Sequence, residues 1–154
     1  MSRSDGEPAR RWPGAVTAVL ATLAGLALAV LIGYVPVTTF IDVGIDRLTV
    51  PALALFSGYA AAAVFLLSGA LLTMLRIVAG LVLLIVGAVL AAGAVALEPA
   101  MVIHGEYRYY FEEIAELEGM HAISRAAGLV LGPLTLVLAA LPPTFRHTRS
   151  RMAY

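Results

Sequence analysis

The chain has 154 residues, 61% of them hydrophobic, and its formal net charge at pH 7 is zero. Its mean hydropathy of +0.94 is higher than a soluble domain of this size can hide in one core, so most of its surface must face lipid. The chain has no cysteine, which excludes disulfides, thiolate metal sites and c-type haem attachment.

Four apolar stretches are each long enough to cross a membrane as a helix. A helix rises ~1.5 Å per residue, so about 20 residues cross a hydrocarbon layer of ~30 Å. The predicted transmembrane spans are residues 12–35, 52–72, 78–97 and 122–141. They are apolar on every face, whereas the strands of a membrane barrel alternate apolar and polar residues. We therefore predict an all-α integral membrane protein with four transmembrane helices.

The segments between the spans complete a single four-span membrane domain. They are a tail at residues 1–11, an outer loop at 36–51, an inner turn at 73–77, an acidic outer loop at 98–121 and a basic tail at 142–154. Only the inner turn is short enough to force the spans on either side of it into an antiparallel hairpin. The first outer loop is rich in β-branched residues and alternates apolar and polar positions, which favours an extended segment or a hairpin around Gly44.

Positive charge is concentrated on one side of the predicted membrane. Seven of the ten arginines lie in the two tails and the inner turn, at Arg3, Arg10, Arg11, Arg76, Arg146, Arg149 and Arg151. The positive-inside rule therefore predicts cytoplasmic N and C termini and two outer loops. The absence of lysine beside abundant alanine, glycine and arginine is typical of GC-rich prokaryotic genomes, so we expect a prokaryotic plasma (inner) membrane.

Small residues recur at helical spacing in the predicted spans. They form a face along the first span and a GxxxG pair in the fourth: Ala21, Gly25, Ala29, Gly33, Gly128 and Gly132. Such faces let two helices approach closely and gain dispersion contacts. The faces either pack within the bundle or bind a partner subunit. In the second case, changing Gly25 and Ala29 together to leucine would weaken the association.

The predicted spans contain no Asp, Glu, Lys or His, and Arg125 lies about one turn from the outer end of the fourth span, where its side chain can snorkel to the headgroups. Ion-coupled transport and haem binding within the bilayer need polar or ligating groups at depth, so neither function is expected. Tyr59 lies deep in the second span and is predicted either to join an interfacial aromatic belt or to form a hydrogen bond inside the bundle.

The acidic outer loop has a helical pattern of its own. Between Tyr109 and Met120, apolar residues recur at helical spacing opposite several glutamates, which predicts a short amphipathic helix that Gly119 would end. Its aromatic residues suit the headgroup zone. The residues expected to carry the interactions of this loop are Tyr107, Arg108, Tyr109, Tyr110, Glu112, Glu113 and Glu116.

A metal site is the weaker interpretation of this loop. Glu118 and His121 form one ExxH, the spacing that places two ligands on one helix face, and His104 with Glu106 could complete the set. A dinuclear carboxylate site needs two such motifs, and Gly119 interrupts the helix between these two ligands. We therefore expect no metal and no other cofactor. Exposed glutamates are usually a solvated face, so they do not by themselves predict catalysis.

Two functions of different class remain. The first is a non-catalytic accessory subunit or assembly factor of a larger prokaryotic membrane complex. It would bind that complex through the small-residue helix faces and the acidic, aromatic outer loop, with the lipid bilayer as its surroundings and no nucleic acid as a partner. The second is a small membrane enzyme, carrier or channel for a lipid or hydrophobic ligand, with the outer carboxylates and histidines as its site. The sequence contains no recognisable catalytic motif, which favours the first.

Overall fold

The computed structural model describes residues 12–101, 107–117 and 119–142. Its five α-helices are α1 (Trp12–Asp42), α2 (Val50–Met74), α3 (Val78–Met101), α4 (Tyr107–Glu116) and α5 (Gly119–Ala140). No strand occurs in the described residues. Four of the helices, all except α4, are long and apolar enough to cross a membrane, which confirms the prediction of an all-helical chain with four candidate spans.

The four long helices form a bundle in which consecutive helices are neighbours. Contacts join α1 to α2, α2 to α3, α3 to α5 and α5 back to α1, so α1 lies diagonally opposite α3. In the α2–α3 pair, Gly69 lies against Leu84 and Gly87 lies against Leu66. Residue numbers thus rise along one helix as they fall along the other, and the other neighbouring pairs show the same antiparallel register.

This topology brings the end of α1, the start of α2, the end of α3 and the start of α5 together at one end of the bundle. We call this the Glu98 end. The opposite end holds the start of α1, the end of α5 and the α2–α3 turn around Arg76. The predicted hairpin is confirmed, because only three residues separate Met74 from Val78.

The first connection differs from its prediction. α1 continues past Val35, through Pro36, to Asp42, and a 3₁₀ turn over Ile45–Arg47 follows. The extended hairpin predicted around Gly44 is therefore wrong. Gly44 instead adopts a positive φ of 80° just before the 3₁₀ turn, a conformation that glycine tolerates best.

Local hydrogen bonds and packing explain why β-branched residues are helical here. The hydroxyl of Thr38 donates to the carbonyl of Tyr34 at 2.9 Å, and the hydroxyl of Thr39 donates to the carbonyl of Val35 at 2.8 Å. The next residue, Phe40, packs its ring edge-on against Phe56 of α2, with 6.3 Å between ring centroids. Contact with a neighbouring helix thus overrides the strand preference of the isolated segment.

Candidate functional site

The six small residues predicted to bind a partner lie at contacts between helices of this chain. Ala21 and Ala29 are fully buried. A Cβ atom added to Gly25 would lie 2.6 Å from Cδ2 of Leu84, and one added to Gly128 would lie 2.5 Å from Cγ2 of Val95. For Gly33 and Gly132 the nearest atoms are the Cβ atoms of Ala63 and Ala92, both at 3.3 Å.

The chain's own helices therefore cover the small-residue faces, which matches the packing interpretation and leaves little of these faces to a partner. Leucine at Gly25 and Ala29 would disturb the bundle itself, so that double change does not test a partner interface.

The position of Glu98 differs markedly from the sequence-based prediction. The sequence places it at the start of a solvated acidic loop, but α3 continues past it to Met101, and Glu98 is only 2% exposed. The predicted third span ended at Leu97, one residue before Glu98, whereas the third candidate span runs from Val78 to Met101 and includes Glu98.

Both carboxylate oxygens of Glu98 accept hydrogen bonds. Tyr59 of α2 donates its hydroxyl to Oε2 at 2.7 Å, and Tyr110 of α4 donates to the same atom at 3.0 Å. Arg125 of α5 donates from Nη2 to Oε1 at 2.7 Å and from Nε to both oxygens, at 3.1 and 3.2 Å. Glu98 thus receives donors from three other helices. Of the two alternatives predicted for Tyr59, the hydrogen bond inside the bundle is therefore the one observed.

Arg125 does not snorkel away from the bundle. Its side chain is 15% exposed, and its remaining terminal nitrogen, Nη1, donates to Oε1 of Glu113 at 3.2 Å. The guanidinium carbon also lies 5.2 Å from the centroid of the Tyr110 ring, within the range of a cation–π contact. The Glu98 cluster is defined here as Tyr59, Glu98, Tyr110, Glu113 and Arg125.

The formal charge of the Glu98 cluster is uneven, because two carboxylates share one guanidinium. Glu98 is buried, whereas the Glu113 side chain is 39% exposed and keeps contact with solvent. The excess negative charge therefore lies at the edge of the cluster, and the inner pair of Glu98 and Arg125 is neutral.

Pro99 explains why the hydroxyl of Tyr110 has a backbone carbonyl partner in α3. Pro99 has no N–H, so the carbonyl of Val95, four residues earlier in α3, loses its usual helical partner. Tyr110 supplies the replacement, since its hydroxyl lies 3.2 Å from that carbonyl oxygen and shares its single proton between Val95 and Glu98. Burial raises the pKa of the Tyr110 phenol, and the Glu98 carboxylate raises it further, so the hydroxyl remains a donor.

No family model, curated protein or solved structure matches this chain. A function for this chain is therefore inferred from the Glu98 cluster and from the surface of α4.

α4 is amphipathic, and its two faces have different surroundings. Tyr110 and Ile114 are buried against the bundle, while Tyr107, Tyr109 and Phe111 are exposed. The remaining residues predicted to interact are also on this helix: Arg108 pairs with Glu112 at 2.9 Å, and Glu116 is exposed. The Arg108–Glu112 pair is exposed to solvent and contributes little to stability.

The boundaries of this helix also differ from their prediction. The helical pattern was found between Tyr109 and Met120, and Gly119 was expected to end the helix, whereas α4 ends at Glu116 and Gly119 is the first residue of α5. Leu117 and Gly119 have positive φ angles of 51° and 86°, so the chain turns sharply between the two helices. The sequence predicted an interruption of the helix near Gly119. It did not predict that Gly119 would begin the next helix.

Three of the four candidate metal ligands, His104, Glu106 and Glu118, lie outside the described residues. The fourth, His121, is exposed at the start of α5, and its ring centroid lies 5.7 Å from that of Tyr34. Within the described part of the chain, no three His, Cys, Asp or Glu side chains are grouped as metal ligands would be.

The arrangement of the Glu98 cluster is suited to holding helices together. General acid–base catalysis needs a group that can reach a substrate and exchange a proton with it. Here the carboxylate of Glu98 is bound by Arg125, Tyr59 and Tyr110, and all three donors come from different helices. The cluster fixes the relative positions of α2, α3 and α5 and attaches α4 to them.

A conservative change to one donor should measure this role. We expect Tyr59→Phe to lower the free energy of unfolding by about 1.5–3 kcal/mol, because the buried carboxylate of Glu98 loses a short hydrogen bond. Unfolding in mixed micelles at increasing SDS fraction gives the measurement. Tyr34→Phe, at an exposed tyrosine, is the control and should shift stability by less than about 0.5 kcal/mol. Equal effects of the two changes would contradict the role given to Tyr59.

Proposed function

We propose that this chain is a non-catalytic accessory subunit or assembly factor of a larger prokaryotic membrane complex, with its Glu98 end on the outer side of the plasma membrane. The partner binds the exposed face of α4. The observation that carries this proposal is the division of α4 between two roles. Tyr110 and Ile114 anchor the helix in the bundle, while Tyr107, Tyr109 and Phe111 are between 46% and 62% exposed.

Exposed aromatic rings on an anchored helix are well suited to binding a protein. Aromatic residues are enriched at protein interfaces, and tyrosine in particular gives a large contact area for little loss of conformational entropy. Because Tyr110 is fixed by the Glu98 cluster, the neighbouring rings of Tyr109 and Phe111 are presented from a positioned backbone. This lowers the entropy lost on binding.

The small-residue faces take no part in this proposal, since they pack inside the bundle. The proposed orientation depends on the arginines of the two tails. Among the described residues, Arg76 lies in the turn at the opposite end, while Arg47, Arg108 and Arg125 lie at the Glu98 end. The remaining six arginines on which the orientation prediction depends are in the tails, outside the described residues.

The test is a mild detergent extraction of tagged protein from its native membranes, followed by quantitative mass spectrometry. We expect a larger integral membrane protein in a stoichiometric amount. The double change Tyr109→Ala and Phe111→Ala should weaken its retention by about 30-fold, the effect of losing roughly 2 kcal/mol at an interface hot spot. Val130→Ala with Val137→Ala, at exposed aliphatic positions of α5, is the matched control and should retain the partner. A monodisperse lone monomer from native membranes would refute the proposal.

One observation favours a second candidate function. Glu98 and Arg125 are charged residues within candidate membrane spans, where ionisable groups are costly and commonly mark a functional site. They could serve a small membrane enzyme, carrier or channel that acts on a lipid or hydrophobic ligand. Complementation of a deletion strain separates the two candidates. An accessory subunit loses function with Tyr109→Ala and Phe111→Ala, whereas the second candidate loses function with a folded Glu98→Gln and Arg125→Met double variant.

A further inference from the structure

We propose that α4 is a strap that opens and closes as a unit over the Glu98–Arg125 pair, held shut by Tyr110 and Glu113. Three features of the structure carry this inference: how the bonds of the Glu98 cluster are divided, how little of α4 is buried, and how the chain turns after α4.

The bonds of the Glu98 cluster fall into an inner group and an outer group. The inner bonds join α2, α3 and α5, and the shortest of them are 2.7 Å, from Tyr59 and from Nη2 of Arg125 to Glu98. The outer bonds all involve α4, and none is as short as these two. They join Tyr110 to Glu98 at 3.0 Å, Tyr110 to the Val95 carbonyl at 3.2 Å, and Glu113 to Arg125 at 3.2 Å.

This division decides what opening would cost. Breaking a buried charged network is expensive mainly because it strands a charge without a partner. When α4 leaves, Glu98 keeps both Tyr59 and the two-nitrogen contact with Arg125. No charge of the pair is stranded, and the bond that Arg125 loses is made by Glu113, a half-exposed carboxylate that water can replace.

α4 is also too short to be stable by itself. It has ten residues, of which Tyr110 and Ile114 are buried, whereas isolated helices shorter than about 12–15 residues are marginal in water. Its helical structure therefore depends on docking, so release and unwinding are coupled. The residue after α4, Leu117, adopts a φ of 51°, a left-handed conformation that is unfavourable for any residue with a side chain such as leucine. Opening relieves this strain.

The open state would uncover groups that the closed state hides. Nη1 of Arg125 would lose Glu113, and one face of its guanidinium would lose the ring of Tyr110. The strap therefore controls whether water and solutes at the Glu98 end reach a charged pair within the membrane-spanning bundle.

The chain has no cysteine, so a single introduced cysteine can report the opening. Ile114→Cys places a thiol on the buried face of α4, and Ala115→Cys places one on its exposed face as a reference. With the protein in nanodiscs, a charged maleimide should label Cys at the exposed position quickly and at the buried position slowly. Adding Tyr110→Phe should speed labelling of the buried position about tenfold, because α4 loses its bonds to Glu98 and Val95.

Two charge-neutralising changes supply the matched comparison. Glu113→Gln removes the carboxylate that holds Arg125 and should also speed labelling, whereas Glu112→Gln, on the solvated face, should not. Hydrogen exchange distinguishes a strap from general loosening: amides of α4 should exchange faster in Tyr110→Phe while those of α2 and α3 keep their rates. Equal effects of Glu112→Gln and Glu113→Gln, unchanged labelling in Tyr110→Phe, or faster exchange throughout the bundle would each overturn the proposal.

Discussion

Replacing Arg125 with methionine should lower the free energy of unfolding by about 3–5 kcal/mol, the range found when one partner of a buried ion pair is removed. Methionine fills much of the same space, so the loss arises mainly from charge. Glu98, only 2% exposed, would keep the hydroxyls of Tyr59 and Tyr110 but would lose its only cationic partner among the described residues. Unfolding in mixed micelles of increasing SDS fraction, followed by circular dichroism, provides the measurement.

Two further variants show whether the loss comes from the stranded charge. Glu98→Gln combined with Arg125→Met removes both charges, and we expect it to recover most of the stability lost in the single variant. Arg108→Met removes an arginine from an exposed pair with Glu112 and should change stability by about 0.5 kcal/mol at most. If Arg125→Met is no more damaging than Arg108→Met, the Glu98 cluster does not stabilise the bundle.

The second large effect is expected where the backbones of α2 and α3 are in contact. Gly69→Ala should lower the free energy of unfolding by about 3 kcal/mol, at the upper end of the range for overpacking. A Cβ atom at this position would lie 2.6 Å from the backbone nitrogen of Leu84 and 2.9 Å from the carbonyl oxygen of Gly80. Backbone atoms cannot rotate away as a side chain can, so α2 and α3 must separate to admit the methyl group.

Gly58 provides the control in the same helix. No atom lies within 4 Å of a Cβ added there, so Gly58→Ala creates no clash. It should leave stability unchanged or raise it by up to ~1 kcal/mol, since alanine is the better helix former. The comparison uses the same unfolding assay and the same substitution at both positions. Similar results at Gly58 and Gly69 would show that α2 and α3 are not in backbone contact.

Hydropathy predicted the four spans because each is a property of about 20 residues taken together, and errors at single positions average out. It did not predict where the helices end. The predicted spans stop at Val35 and Leu97, where polar residues begin, yet α1 continues to Asp42 and α3 to Met101. A helix ends where its backbone hydrogen bonds end, and these bonds can continue through a polar residue such as Glu98 when neighbouring helices supply partners for its side chain.

The burial of Glu98 did have a signal in the sequence. The buried face of α3 includes Gly87, Ala91 and Ala94, and continuing that spacing leads directly to Glu98. What the pattern could not supply was the identity of the donors. Tyr59 and Arg125 lie on two other helices, far away in sequence, and their meeting with Glu98 depends on the register of three packed helices. Periodicity within one segment contains no information about that register.

The small-residue faces are a second case in which periodicity did not identify the contacting helix. The spacing of Gly25 and Ala29 correctly identified a surface made for close approach. It could not tell whether the approaching helix belongs to the same chain. Here Leu84 and Thr135, from α3 and α5, lie against Gly25.

The pairing of Glu98 with Arg125 also bears on how the newly made chain enters the bilayer. Either residue alone makes its own helix a poorer substrate for insertion, because a lone ionised group must be carried into hydrocarbon. Together, in an antiparallel pair, α3 and α5 bring mutually neutralising groups to the same depth. Inserting α3 and α5 together therefore costs less free energy than inserting either helix alone.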